Sequence, residues 1–150
     1  MIAVAKTRFG PLAVESRGGH IVALHWDKPA AGPATPLLTE AVSQLEAYDA
    51  GRLTVFDLPL APGGSLFQQQ VFAALVDIPY GETLTYGDIA TALKCPAQPV
   101  GQACGANPIP ILIPCHRVLS KNGIGGFSAR GGVEMKISLL KHENGFPFLL

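Results

Sequence analysis

Apolar and polar residues follow a strand-like pattern over the first 26 residues of the chain. Three runs, at 2–7, 12–15 and 21–26, are rich in β-branched and aliphatic residues and predict β-strands. A pair of glycines at 18–19 separates the second run from the third and indicates a hairpin. A further run at 53–60 is interpreted as one more strand. The front of the chain is therefore expected to be built around a small sheet.

Helical periodicity begins after Thr35, a good capping residue that is followed by a proline suited to the first turn. Apolar residues then recur three and four positions apart until Gly51, which predicts an amphipathic helix. The Pro- and Gly-rich segment 61–64 is interpreted as a linker. Residues 1–62 are thus expected to form an N-terminal α/β support lobe, and residues 65–150 a second lobe.

The second lobe carries several signals for short helices. Ser65 and Thr85 are predicted N-caps, and Asp88 completes a capping box with Thr85. The apolar spacing over 133–143 predicts a last helix, with Gly145 as its C-cap. Most of this lobe is therefore expected to be helical.

Two of the predicted helices, at 86–93 and 97–104, are joined by a short turn. This arrangement is typical of a helix-turn-helix, although an ordinary helical hairpin has the same spacing. Gly101 and Ala103 leave the second helix with little side chain, which suits close approach to the minor groove of DNA. The expected fold class is α/β (α+β), with a strand-and-helix N-terminal lobe and a helical, winged-helix-like C-terminal lobe.

The candidate chemistry lies in segment 107–118, which reads Asn-Pro-Ile-Pro-Ile-Leu-Ile-Pro-Cys-His-Arg-Val. Its prolines exclude a regular helix, and we interpret the segment as buried and extended. Cys115 precedes His116 and Arg117, and positive neighbours can lower the pKa of a thiol and produce a nucleophilic thiolate. The simpler alternative is that Cys115 is only a small buried hydrophobic residue.

Composition narrows the class of protein. Of the 150 residues, 48% are hydrophobic and 15% are charged, which suits one compact domain or two small lobes rather than a disordered chain. No apolar run is long enough to span a bilayer and no signal-peptide pattern is present, so a cytoplasmic location is expected. The net charge of zero would not by itself suggest nucleic-acid binding.

Cysteine usage argues against structural cross-links. Cys95, Cys104 and Cys115 are an odd number, so a complete disulfide framework is excluded. Their spacing contains no C-x-x-C pair, so a metal site is not expected. We expect free thiols, as in a reducing compartment.

The sequence Pro-Cys-His-Arg-Val, preceded by Asn-Pro and followed by a Gly-rich turn, resembles the active-site signature of the O6-alkylguanine-DNA alkyltransferases. The likeness extends from about Phe67 to Gly145. It implies DNA repair by direct reversal, in which an alkyl group passes irreversibly from O6-alkylguanine, with O4-alkylthymine as a second candidate lesion, to a protein cysteine in one turnover. The implied partner is double-stranded DNA, bound in the minor groove with the alkylated base flipped out. The family needs no cofactor, and the protein is expected to be a monomer.

The resemblance also implies roles around the thiol. Cys115 would be the nucleophile and alkyl acceptor. His116 would act as its base through a water molecule, with Glu143 orienting and charging the imidazole. Asn107 would support the thiol through hydrogen bonds.

A second group of residues would bind the alkylated base. Tyr86 would help to rotate the nucleotide and donate to the departing guanine, and Phe127 would wall the pocket. Ser128 and the backbone of Val118 would contact the base edge. Arg117 would mainly brace the structure.

Two departures from the family pattern are visible. Family members usually place an arginine on the recognition helix to fill the gap left by the flipped base, and Gln98 stands there in this chain. Glutamine can hydrogen-bond the orphaned base but carries no charge, so weaker DNA affinity or altered preference is expected. The loop 126–132 is about two residues longer than the common form, and Arg130 is a candidate for a compensating phosphate contact.

Two other functions fit part of the evidence. A non-catalytic alkyltransferase-like protein would bind alkylated DNA and flag it for another pathway, but such proteins replace the cysteine. A cytosolic thiol hydrolase would use Cys115 and His116 over many turnovers, although adjacent residues of an extended segment point to opposite sides.

Overall fold

The computed structural model describes residues 1–127 and 131–144 of the chain. It divides into two compact units, Met1–Gly63 and Gly64–Leu150. Within the described residues, no helix combines the length and apolarity needed to cross a membrane. The expected mixture of N-terminal strands and C-terminal helices is confirmed.

The first unit is built on an antiparallel sheet of three strands, in the order β1-β2-β3. The strands are β1 (Ile2–Thr7), β2 (Gly10–Arg17) and β3 (His20–His25). Gly18 and Gly19 both have positive φ, which glycine adopts at little steric cost, and they form the predicted hairpin turn.

One helix, α1 (Pro36–Asp49), packs against β1 and β2. Thr35 caps α1 as predicted, because its hydroxyl accepts a hydrogen bond from the backbone N–H of Leu38. The buried face of α1 follows the predicted helical spacing: Leu38, Ala41, Gln44, Leu45 and Tyr48.

The predicted strand at 53–60 is wrong. This segment forms a single parallel bridge between Leu60 and Ile21 of β3. At this bridge the N–H of Ile21 donates to the carbonyl of Pro59, and the N–H of Ala61 donates to the carbonyl of Ile21. Proline has no N–H to donate, so pairing does not extend along the run.

The second unit begins with three helices that pack on one another, α2 (Leu66–Val76), α3 (Tyr86–Leu93) and α4 (Ala97–Gly105). A short strand, β4 (Leu84–Thr85), precedes α3 and pairs in parallel with β5 (Val118–Leu119). A further helix, α5 (Gly132–Glu143), comes after the Gly-rich loop, which includes Gly123, Gly125 and Gly126.

Local capping explains where these helices begin and end. Ser65 and Thr85 each form a capping box, Ser65 with Gln68 and Thr85 with Asp88, as the sequence predicts at Thr85. The expected C-cap of α5 is wrong, because Asn144 takes the left-handed conformation at φ 54°. Asparagine tolerates this region, so glycine is not required there; Gly145 lies outside the described residues.

Candidate active site

The segment that leads to Cys115 folds into a compact buried loop. The side-chain oxygen of Asn107 accepts a hydrogen bond from the N–H of Ile109 at 3.0 Å, and its amide donates to the carbonyl of Ile113 at 2.8 Å. The backbone N–H of Ile113 also donates to the carbonyl of Ile109. Asn107 therefore supplies hydrogen bonds that the neighbouring prolines cannot donate.

The prediction that this segment is extended is wrong. Ile111 has φ 73°, a left-handed conformation that is unusual for a β-branched residue and marks backbone strain. Cys115–Arg117 then forms one turn of 3₁₀ helix. The objection that Cys115 and His116 must point to opposite sides consequently does not apply, because the alternation belongs to strands.

Cys115 lies at the wall of a cavity of about 500 Å³. The thiol-bearing residue is only 7% exposed. The cavity brings together residues from α3, α4, the 3₁₀ helix and the Gly-rich loop: Tyr86, Gly101, Cys104, Gly105, Cys115, Gly126 and Phe127. Its volume is in the range of small-molecule sites and can hold a purine base.

His116 and Glu143 form a fully buried pair beside the thiol. Their closest atoms, Nε2 and Oε2, are 2.7 Å apart, and neither side chain is accessible to solvent. Burial lowers the pKa of His116 despite the neighbouring carboxylate. A neutral imidazole must carry its proton on Nε2 to donate to a carboxylate, which leaves Nδ1 as an acceptor. Within the described part of the chain, Nδ1 of His116 is buried without a hydrogen-bond partner.

Arg117 holds Glu143 from the other side. Its Nε and one terminal nitrogen donate to the two carboxylate oxygens at 2.8 and 3.1 Å, and its other terminal nitrogen donates to the carbonyl of Ile78. Burial alone would raise the pKa of Glu143, but the hydrogen bonds and charges of His116 and Arg117 outweigh it and lower that pKa to about 2. The carboxylate is therefore ionised at neutral pH and balances the guanidinium.

The expectation that His116 and Arg117 lower the pKa of Cys115 is wrong. Burial raises the pKa of Cys115, and the opposing influences come from a hydrogen bond with Asn107 and the positive charge of Lys136. The physical reason is that His116 is neutral and the charge of Arg117 is balanced by Glu143.

Lys136 was missed by the reasoning from sequence. It lies on α5 with no solvent exposure, and its ammonium donates to the carbonyl of Gly126 at 3.1 Å. A signal was available, because Lys136 stands three, four and seven residues before the buried Leu139, Leu140 and Glu143. That spacing places all four on one face of a helix.

The other predicted site residues either line the cavity, lie elsewhere in the second unit, or fall outside the described residues. Tyr86, Gly101 and Phe127 line the cavity with Cys115. Gln98 is exposed on α4, whereas Val118 is fully buried in β5 opposite Leu84 and is not one of the residues that line the cavity.

The predicted exposure of Ala103 also has to be corrected. The prediction that its side chain belongs to the exposed surface of α4 is wrong, because Ala103 is only 2% exposed and shares the inner face of the helix with Val100 and Cys104. Ser128 and Arg130 lie outside the described residues. No group of three or more potential metal ligands occurs in the described ranges 1–127 and 131–144.

Family models match both parts of the chain. The model for the DNA binding domain of 6-O-methylguanine DNA methyltransferase matches residues 66–145. The model for the ribonuclease-like domain of the same protein matches residues 1–62. Together these matches cover nearly the whole chain.

Curated relatives agree with this assignment. A methylated-DNA–protein-cysteine methyltransferase of Methanosarcina acetivorans is 50% identical over 107 residues, covering 69% of this chain and 67% of the relative. The constitutive enzyme of that name from Bacillus subtilis is 47% identical over 111 residues, covering 73% and 67%.

Solved structures show the same fold. The O6-methylguanine methyltransferase of Mycobacterium tuberculosis superposes with a TM-score of 0.84 at 37% identity, over 99% of this chain and 95% of the other. The structure of Mycobacterium tuberculosis OGT in complex with DNA matches with a TM-score of 0.84 at 40% identity, over 94% of this chain and 91% of the other. With matches in both halves of the sequence and in the fold, the chain belongs to the 6-O-methylguanine DNA methyltransferase family.

Proposed function

We propose that this protein repairs alkylated DNA by direct reversal, as a methylated-DNA–protein-cysteine methyltransferase that is consumed in one turnover. The observation that carries the proposal is a single buried arrangement: Cys115 at the wall of a base-sized cavity, followed by a neutral His116 whose Nδ1 can accept a proton. The relatives with this name and the DNA complex of the Mycobacterium tuberculosis protein support the same substrate.

The transfer is an in-line displacement at the alkyl carbon. The sulfur of Cys115 forms a new C–S bond while the bond from that carbon to O6 of guanine breaks. The electron pair of the broken bond leaves on the guanine, which then takes up one proton. Because the thioether has no ready reverse reaction, each protein molecule accepts one alkyl group.

His116 removes the proton of Cys115. Its Nδ1 takes this proton through an intervening water, and the imidazole becomes a cation. The ionised carboxylate of Glu143, 2.7 Å from Nε2, then stabilises the imidazolium and keeps its ring oriented. Arg117 has a bracing role, because it fixes the carboxylate through two hydrogen bonds and anchors it to the carbonyl of Ile78.

Tyr86 donates a hydrogen bond to the departing guanine. Burial raises the pKa of Tyr86 to about 12, so the phenol keeps its proton at neutral pH. Phe127 lies at the same cavity and offers a ring on which a flipped base can stack. Ser128 remains a candidate for a contact with the base edge, whereas the full burial of Val118 argues against a contact through its backbone.

The exposed face of α4 contacts the DNA. A methyl group added at Gly101 would meet no atom outside its own turn of helix within 4 Å, so the backbone of α4 is open to a close approach there. Gln98 is exposed one turn earlier and takes the place of the usual arginine beside the orphaned base. Arg130 is a candidate for a phosphate contact that offsets the missing charge. A cytoplasmic location, where thiols stay reduced, is part of the proposal.

A transfer assay with a duplex carrying one O6-[methyl-³H]methylguanine tests the proposal. We expect label in the protein fraction to reach one equivalent and then stop, and we expect none with Cys115→Ser. Repeated turnover with label released as a small molecule would indicate a thiol hydrolase. Lesion-specific binding without transfer would indicate the non-catalytic binder.

A further inference from the structure

Lys136 is a fully buried cation whose surroundings call for an explanation. Its side chain has no exposure, its ammonium donates to the carbonyl of Gly126, and it lies 5.7 Å from the centre of the Tyr86 ring. Over the residues that the structure describes, no carboxylate forms an ion pair with it. A buried charge is costly unless it is paired, so an anion that forms near Lys136 is stabilised by it.

The ionisable groups that interact electrostatically with Lys136 come from three elements. They are Tyr86 on α3, Cys104 on α4, and Cys115 and His116 on the 3₁₀ helix. His116 cannot be negative at neutral pH. The pKa of Tyr86 and that of Cys104 are both raised to about 12, mainly by burial, so both keep their protons.

Cys115 is the remaining candidate. Its thiol is the one that receives a hydrogen bond from Asn107, which favours the charged form. The other nearby cation, Arg117, is already balanced by Glu143. The geometry brings Lys136 to the same site, because its ammonium contacts Gly126 and Tyr86, which line the cavity together with Cys115.

We propose that Lys136 is a positioning residue for the alkyl transfer, whose buried ammonium, held by the Gly126 carbonyl and the Tyr86 ring, stabilises the thiolate of Cys115. This inference rests on the proposed function for its role in repair, but the electrostatic relationship itself can be measured without DNA. Burial lowers the pKa of Lys136 to about 8, so the ammonium is still the major form at neutral pH.

The loop at Gly125 and Gly126 packs closely against Tyr86 and the ammonium of Lys136. A Cβ atom at Gly125 would lie 3.2 Å from Cε2 of Tyr86 and 3.4 Å from Nζ of Lys136. Gly125 also has φ 78°, a conformation that other residues rarely adopt. Glycine at this position therefore allows the loop, the tyrosine ring and the ammonium to pack together.

The test is the pH dependence of Cys115 alkylation by iodoacetamide, followed peptide by peptide with mass spectrometry so that each cysteine is read separately. Lys136→Met removes the charge, and Lys136→Gln removes it but keeps a donor for the Gly126 carbonyl. We expect the midpoint pH of Cys115 alkylation to rise by about one pH unit or more in both variants. Labelling at pH 7 should then be about tenfold slower. Lys141→Met, on the exposed side of the same helix, should leave the midpoint unchanged.

A reciprocal measurement covers the case in which both Lys136 variants fail to fold. The pKa of the Lys136 ammonium, followed by NMR of ¹⁵N-labelled lysine, should fall in Cys115→Ser relative to the unaltered protein, because linkage is mutual. An unchanged Cys115 midpoint in folded Lys136 variants, or an unchanged Lys136 pKa in Cys115→Ser, would overturn the inference. A protein that shows these shifts but transfers no methyl group would contradict the proposed function alone.

Discussion

The Nε2 atom of His116 lies 2.7 Å from Oε2 of Glu143, and both side chains are completely shielded from solvent. This contact decides the protonation of the site. Because an ionised carboxylate can only accept, Nε2 carries the proton and Nδ1 is left as the base. The adjacent cation, Arg117, is bound to the same carboxylate and therefore cannot activate the thiol.

Glu143→Gln should slow the alkyl transfer and make the stability of the protein less dependent on pH in acid. Removing the carboxylate leaves Arg117 buried without a counter-charge, and we expect a loss of about 3 kcal/mol in the free energy of unfolding at pH 7. The imidazolium is no longer stabilised, so the single-turnover transfer rate should fall by about 100-fold or more. Urea unfolding and rapid-quench transfer assays measure the two effects.

The pH dependence of that stability has a definite sign. The pKa of Glu143 is lowered in the folded protein from 4.5 to about 2, so its contribution is present above pH 4.5 and is lost as the pH falls towards 2. The slope of stability against pH in this window should be smaller in Glu143→Gln. The exposed Glu134→Gln, on the same helix, is the matched control and should keep the original slope; equal slopes in all three proteins would contradict the assignment.

Asn107→Ala should disturb the loop and the thiol together. The variant loses the donor to the Ile113 carbonyl and the acceptor for the Ile109 N–H, and we expect a loss of about 1–3 kcal/mol in stability. The alkylation midpoint of Cys115 should also rise, because the thiolate loses a hydrogen bond. Asn122→Ala in an exposed turn serves as the control, and a variant that loses stability without any change at Cys115 would separate the two roles.

The reasoning from sequence succeeded where the physical signal is local. Thr35, Ser65 and Thr85 cap their helices as predicted, because a side-chain oxygen that accepts from free N–H groups can be recognised from a few neighbouring residues. It failed where the outcome depends on tertiary neighbours. The loop at Asn107 needed a side chain to replace missing backbone donors, and the inward position of Lys136 contradicts the usual exposure of lysine.

Gln98→Arg should bind DNA more tightly than the unaltered protein. An added positive charge on the exposed face of α4 can contact the phosphate backbone, and the slope of log affinity against log salt should steepen by about 0.9 for one new contact. Fluorescence anisotropy with a lesion duplex at several salt concentrations gives this slope. Gln70→Arg adds the same charge to an exposed position of α2 and should leave the affinity closer to its original value. Equal affinity in Gln98→Arg would remove Gln98 from the DNA interface.

Cys115 is proposed to accept one alkyl group from DNA and to keep it. Intact-mass measurement after incubation with a duplex carrying one O6-methylguanine tests it most directly. We predict a single gain of about 14 Da, the mass of an added CH₂, located by peptide mapping at Cys115 and missing in Cys115→Ser. An unchanged mass after the lesion has been removed, or a gain located at Cys104, would contradict the account.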